Sequence, residues 1–514
     1  LTLHRLFPRI RPAARLAAAL LFATAAPRAG AQQLADNNVA LRPVRSTPAR
    51  TSAALGQAID SILARPALRR ADWGVEVRDA ETGEVLYGRN PDRLFVPASN
   101  LKLIVAATAA HHLPPDYRYR TTVYGTGPVA DGALDGDLVL YGRGDPLISE
   151  RYGRRRTAVW EALADSLLGR GVRRVTGGVV ADESFFDAVR VRGDWEAYDL
   201  RWWYAAPTGA IGFNDNSIEV RIAPGTAAGQ PARVTWEPRS SYVEVENRAT
   251  TSSSGRAATV DIERVPGTRR LRVYGQIPAG SGSDVEFFAV DDPARFAATV
   301  FREVLEAKGI TVGRAEVRVV SDPARSPQAD AVPLAEHLSE PLPKVIGPIL
   351  LNSQNWFAEQ LVKTLGKEVR GEGSWEAGLA VEREFLTQVV GIDSTDFTLR
   401  DGSGLSAGNL VTPRALVKLL RYVHRTPRQS VVRRALPVSG GDGSLRARFP
   451  DLPGRVSAKT GYIGNVDSLS GFVRMANGRE AVFSIIANKS GQPSARMKAG
   501  IDDVVRAVAG YRGR

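Results

Sequence analysis

The chain has 514 residues, 43% of them hydrophobic and 24% charged, with a formal net charge of +13. That length exceeds what one hydrophobic core usually serves, about 250–300 residues, and the composition excludes wholesale disorder. The absence of cysteine rules out disulfides, thiolate metal sites and a cysteine nucleophile, and the five histidines (His4, His111, His112, His337, His424) include no H-x-x-x-H pair, which argues against a zincin-type metallohydrolase.

Arg5, Arg9, Arg11 and Arg15 precede an apolar run, Leu16 to Ala26, and Ala29-Gly30-Ala31 then resembles a small-residue cleavage site. This is the charged–apolar–small order of a secretory signal. The run of 11 residues is too short for a spanning helix, which needs roughly 20, and there is no cysteine to lipidate. The order predicts a signal peptide over 1–31 and an exported protein of the periplasm or cell envelope. Five arginines and no acid fall within 1–31, leaving 63 basic against 55 acidic residues, or +8, downstream. Arginine is spread along the chain rather than gathered in a stripe, so nucleic acid is not expected as a partner. A basic surface suits peripheral association with anionic envelope polymers. No later stretch is long and apolar enough for a transmembrane segment.

Residues 32–50 are polar and read as a flexible leader. Thr51–Ala64 carries Leu55, Ala58, Ile59, Ile62 and Leu63 at helical spacing. Trp73–Arg89 reads as a hairpin turning at Thr82-Gly83. Ser99 opens a helix with an apolar stretch from Leu101 to Ala110, stopped by Pro114-Pro115. From about 120 to 335 the text is Gly-rich and strand-rich, with alternating segments at 137–141, 217–222 and 270–274 and a short apolar run at 179–181. Helices interrupt at about 156–170 and 293–309, and Thr250–Gly255 reads as a Ser/Thr loop. Helical texture returns with one long apolar-periodic segment, Val345–Leu365, and another, Trp375–Val390. Val466–Met475, Asn477-Gly478 and Ala481–Ala487 predict a hairpin, followed by a helix at 493–509. The pattern predicts a split α/β domain, 51–119 and 336–514, bracketing an inserted β-rich region of two subdomains, 120–335.

Three short motifs carry chemistry. In Ser99-Asn100-Leu101-Lys102 a Ser and a Lys three apart share a helix face, which suits a serine nucleophile whose proton leaves to a desolvated amine. A plain helix cap is the structural alternative for Ser99. In Ser353-Gln354-Asn355 a serine could relay a proton and an amide could hold a substrate, or the triplet is a polar turn. In Lys459-Thr460-Gly461 a lysine and a hydroxyl on an edge strand could grip a carboxylate, with the glycine admitting substrate backbone. The alternative there is a solvated strand start. Asp401 and Ser403 line a cleft rim or shape a turn. Gly404-Leu405-Ser406-Ala407-Gly408 matches a nucleophile elbow but lacks the strand before it. Trp202-Trp203-Tyr204 reads as packing, and His111-His112 as a helix end.

S-x-x-K, S-x-N and K-T-G in this order form the motif set of serine β-lactamases and penicillin-binding proteins. With Val96-Pro97-Ala98, Asp401-Gly402-Ser403-Gly404-Leu405-Ser406 and Gly441-Asp442-Gly443-Ser444-Leu445, the chain resembles the D-alanyl-D-alanine carboxypeptidase/endopeptidase family, type-4-like penicillin-binding proteins, over about 50–510. The separation of 254 positions between Ser99 and Ser353 agrees with that family's habit of inserting domains there. The resemblance implies an α+β transpeptidase fold, an antiparallel sheet flanked by helices. It also implies cleavage of D-Ala-D-Ala, or of D-Ala cross-links, in peptidoglycan stem peptides. By the same resemblance Ser99 attacks, Lys102 takes its proton, Ser353 and Asn355 relay and hold, Lys459 and Thr460 hold the terminal carboxylate, and Gly461 lies in the substrate-binding strand. The backbone N–H groups of Ser99 and Tyr462 form the oxyanion hole. β-Lactams would act as covalent inhibitors, with no metal or cofactor. A serine β-lactamase and a non-catalytic peptidoglycan-binding scaffold are the alternatives; the insertion argues against the first and the intact motifs against the second.

Overall fold

The computed structural model describes residues 53–152 and 155–513; the expected signal peptide and leader lie outside the described residues. The chain forms two compact units, a larger one running to Ser217 and resuming at Ala289, and a smaller one, Ile218–Phe288.

The larger unit is built on an antiparallel sheet. In chain order its neighbourhood comprises α1 (Ala53–Leu63), β1 (Asp72–Asp79), β2 (Val85–Arg89), α2 (Lys102–His112), α3 (Leu342–Leu351), α4 (Asn355–Arg370), α5 (Trp375–Glu384), α6 (Pro413–Arg425), β3 (Val456–Ile463), β4 (Val466–Arg474), β5 (Glu480–Asn488) and α7 (Ser494–Gly510). The strand order is β2-β1-β5-β4-β3, antiparallel throughout. Both faces are buried, as the period of two dictates. Val75, Val77, Phe483 and Ile485 pack with Ile59 of α1 and Ile501, Val504 and Val508 of α7. Phe472, Val482 and Ile486 face the other way, into a core with α2, α3, α4 and α6. Helix α2 is buried all round from Lys102 to Ala110, as a helix apolar on every side must be. Its alanines keep it thin enough to run through the centre of that core.

Residues 120–338 contribute a second, mixed five-stranded sheet, in the order 318–320, 179–182, 138–142, 120–125, 332–338. Helices Ala158–Gly169 and Pro293–Ala307 accompany it. The smaller unit holds three little sheets, one of them the strands Arg233–Glu237, Ser217–Ala223 and Asp284–Ala289.

Two expectations are corrected. Thr250–Ser252 is not loop: it pairs in parallel with Gln276–Pro278, where β-branched threonines sit comfortably. The single helical segment over 345–365 is broken into α3 and α4. Asn352 closes α3, and Ser353 adopts φ +61, a left-handed conformation no helix interior accepts. The apolar period continues across the break because both helices face the same core, so the period alone conceals it.

Candidate active site

Ser99 lies in a single 3-10 turn, Ala98–Leu101, that runs directly into α2. Neither the turn nor the helix receives a side-chain capping hydrogen bond, so the serine is not used as a cap. The turn opens at Ala98 with φ +48, a costly conformation for a residue with a Cβ. The surrounding structure holds it there. Gly404 presses so close that a Cβ on it would stand 2.0 Å from the Ala98 carbonyl oxygen. From strand β4, Ser468 donates to the Pro97 carbonyl (2.7 Å) and accepts from Asn100 Nδ2.

Lys102 is the first residue of α2 and is wholly buried. Its Nζ donates to Ser99 Oγ (2.9 Å), Asn355 Oδ1 (2.7 Å) and the Ser403 carbonyl (2.6 Å). Three acceptors match the three hydrogens of an ammonium. On losing one proton the nitrogen becomes an acceptor for the Ser99 hydroxyl. Burial holds the Lys102 amine down at about 7, opposed by the nearby charges of Glu359 and Asp401.

The helix break supplies the second motif. Ser353 stands in the short link between α3 and α4, and Asn355 is the first residue of α4. Asn355 accepts from Lys102 and donates from Nδ2 to the Tyr204 carbonyl (2.7 Å), which fixes its amide orientation. Ser353 Oγ accepts from Lys459 Nζ (2.9 Å). The third motif lies on β3, the edge strand. Lys459 is fully buried rather than solvated; its second acceptor is the Thr460 carbonyl (2.7 Å). Burial first, and the Lys102 charge next, push its amine well below the usual lysine range. Thr460 Oγ1 points the other way and donates to the exposed Ser444 hydroxyl (2.9 Å). Gly461 passes tight beside the nucleophile turn: a Cβ there would lie 2.2 Å from Ser468 Oγ and 3.1 Å from Ser99 N. Tyr462 is exposed, with the Lys498 ammonium 4.9 Å above its ring.

The structure therefore brings Ser99, Lys102, Ser353, Asn355, Lys459, Thr460 and Gly461 together, linked by Lys102 on one side and Lys459 on the other. Asp401 is not at a rim. It is buried, and its oxygens accept from Trp195 Nε1 (2.9 Å), Asn409 Nδ2 (2.8 Å) and the backbones of Gly404 (2.8 Å) and Ser406 (2.7 Å), which shapes the loop that presses on Ala98. Sequence reading missed Ser444, the Ser403 carbonyl and the Tyr204 carbonyl. Ser444 was within reach, in the Gly-Asp-Gly-Ser text; carbonyl contacts leave no sequence signal. Among the described residues no cluster of His, Asp and Glu is arranged as a metal-ligand set.

The likeness of this chain to known proteins makes it a serine-type DD-peptidase acting on peptidoglycan. The chain belongs to the D-Ala-D-Ala carboxypeptidase 3 (S13) family, whose profile matches residues 55–508. It is 37% identical over 454 residues to a D-alanyl-D-alanine carboxypeptidase of Actinomadura sp. (strain R39), covering 86% of this chain and 82% of the relative. Its fold resembles penicillin binding protein 4 from Haemophilus influenzae, with a TM-score of 0.77 at 22% identity, covering 88% of this chain and 99% of that one. A second structure of that protein, described as complexed with a novel β-lactam, superposes with a TM-score of 0.71 at 23% identity, covering 88% and 97%.

Proposed function

We propose that the enzyme cleaves the D-Ala-D-Ala bond of peptidoglycan stem peptides through an acyl-enzyme on Ser99. The carrying observation is the contact of a buried Lys102 amine, brought down to about 7, with Ser99 Oγ at 2.9 Å. Neutral Lys102 takes the Ser99 proton as Oγ bonds to the carbonyl carbon of the penultimate D-Ala. The backbone N–H groups of Ser99 and Tyr462 receive the oxyanion. As the C–N bond breaks, Ser353 passes a proton from the two-lysine network to the leaving amine. Asn355 keeps Lys102 aimed and offers its amide edge to the substrate. Thr460, with Ser444 beside it, meets the terminal carboxylate by hydroxyl, and Lys459 supplies charge from beneath. Water then attacks the ester, its proton goes to Lys102, and Ser99 is released protonated.

A β-lactam presents a strained amide and a carboxylate to the same groups and would acylate Ser99. The β-lactam complex of the Haemophilus protein is in keeping with this. Residues 51–119 and 336–514 form the catalytic domain, interrupted by 120–335; the central sheet, which draws strands from both sides of that stretch, supports this division. The arginine-led apolar start supports export to the periplasm or cell envelope. Among the described residues no helix is long and apolar enough to cross a membrane.

Fluorescent penicillin should label the mature protein covalently, and Ser99→Ala should abolish both labelling and D-Ala release from a D-Ala-D-Ala peptide. Labelling that survives in Ser99→Ala would refute the assignment.

A further inference from the structure

Two of the three acceptors around Lys102 are set by residues one turn apart on α4. Asn355 supplies its own Oδ1. Glu359, four residues on and on the same face, makes no hydrogen bond to Lys102. It is fully buried. Its Oε2 accepts from the Gly402 N–H (3.0 Å) and from Trp375 Nε1 of α5 (2.7 Å), and its Oε1 accepts from the Ser403 N–H (2.7 Å). The carbonyl of Ser403 then accepts from Lys102 Nζ. A carboxylate buried this deeply is costly unless its bonds and charge are used, and an apolar residue would have filled the space.

The charged surroundings are defined. Lys102 faces Glu359 from α4, Asp401 from the loop after Arg400, and Lys459 from β3. Glu359 faces Asp401 and, from α5, Glu382. Glu382 is buried with both carboxyl oxygens unpartnered among the described residues, and burial, then Glu359 and Asp401, push its carboxyl well above the usual carboxylate range. Lys363, the next turn of α4, is paired with Asp187. Burial, then Asp401, bring the Glu359 carboxyl up to about 7.

We propose that Glu359 is a positioning residue for the Ser99–Lys102 pair: it clamps the Gly402–Ser403 backbone so that the Ser403 carbonyl meets the lysine, and its charge sets the pH at which that lysine can accept the serine proton. This rests on Lys102 acting as the base. Removing the negative charge disfavours the ammonium, so Lys102 becomes neutral at lower pH.

The test is the acylation rate with benzylpenicillin between pH 5 and 10, alongside thermal unfolding, for the parent and Glu359→Gln. The acid limb should move to lower pH by about one unit, with the plateau at least about tenfold lower as the clamp is lost. A purely structural role would lower the plateau or the melting temperature and leave the limb in place. Should Glu359→Gln not fold, Glu359→Asp, with its charge drawn back by one methylene, should move the limb the same way by less. An unmoved limb in whichever variant folds overturns the proposal. Penicillin labelling that persists in Ser99→Ala removes the serine–lysine reading itself, and this inference falls with it; labelling confined to Ser99 with an unmoved limb sinks the inference alone.

Discussion

At the residue scale the two lysines do different work because they meet different partners. Lys102 has carboxylates within electrostatic reach, whereas Lys459 is acted on by its own burial and by the neighbouring Lys102 cation. A substrate carboxylate arriving at Thr460 would supply a counter-charge. The sign follows directly. The Lys459 amine is held well below the ordinary lysine value of about 10.4, so its hold on a proton is weakened in the free enzyme. An adjacent anion raises that affinity, so binding should be accompanied by net proton uptake. Calorimetric titration of Ser99→Ala with a D-Ala-D-Ala peptide at pH 8, in two buffers of different ionisation enthalpy, should detect the uptake. Ser99→Ala/Lys459→Met should bind more weakly and without it. Equal heats in both buffers for the Ser99→Ala protein would contradict this account.

At the element scale the site depends on junctions. Ser99 sits where a 3-10 turn becomes α2, Ser353 and Asn355 where α3 yields to α4, and Lys459 on an edge strand. The two helix junctions depart from regular geometry: φ is +48 at Ala98 and +61 at Ser353. At Gly461, β3 passes tight against the serine turn. In Gly461→Ala the new methyl would lie 2.8 Å from the Pro97 carbonyl oxygen and 3.1 Å from Ser99 N. Strand and turn must part, and the turn's N–H leaves the place it holds for an oxyanion. Acylation by penicillin should fall about 10²-fold, the scale of a lost oxyanion donor, with a smaller loss in melting temperature. A variant that acylates at the parent rate would show that the close approach is not needed.

At the scale of the whole molecule, the central sheet joins chain ends: β1 pairs with β5 along eight residue pairs, Asp72 with Asn488 through Asp79 with Ala481. The smaller unit, Ile218–Phe288, leaves and rejoins the larger one at neighbouring points, since the Val290 N–H donates to the Asn216 carbonyl at 2.9 Å. All the motif residues belong to the larger unit. Replacing 218–288 by a short Gly/Ser linker should therefore leave a folded protein that fluorescent penicillin still labels at Ser99. Loss of labelling in a folded deletion would assign that unit a part in the site.

The sequence by itself determined the chemistry-bearing residues and much of the secondary structure. Ser99 and Lys102 are three residues apart, so helical geometry alone puts them on one face. The hairpin around Asn477-Gly478 announces itself by turn chemistry and alternation. What lay beyond local spacing was decided by tertiary structure. The period across 345–365 is continuous, so the break at Ser353 is visible only in the fold. The meeting of Asn355 with Lys102 spans 253 positions, and no local rule brings it about. Buried Lys459 and the loop-holding Asp401 were read from sequence as more exposed than they are, because burial is a property of everything packed around a residue. The charge states of Lys102, Lys459 and Glu359 follow from that burial. The sequence supplies the amines and carboxyls, and the tertiary structure decides which of them carry a proton.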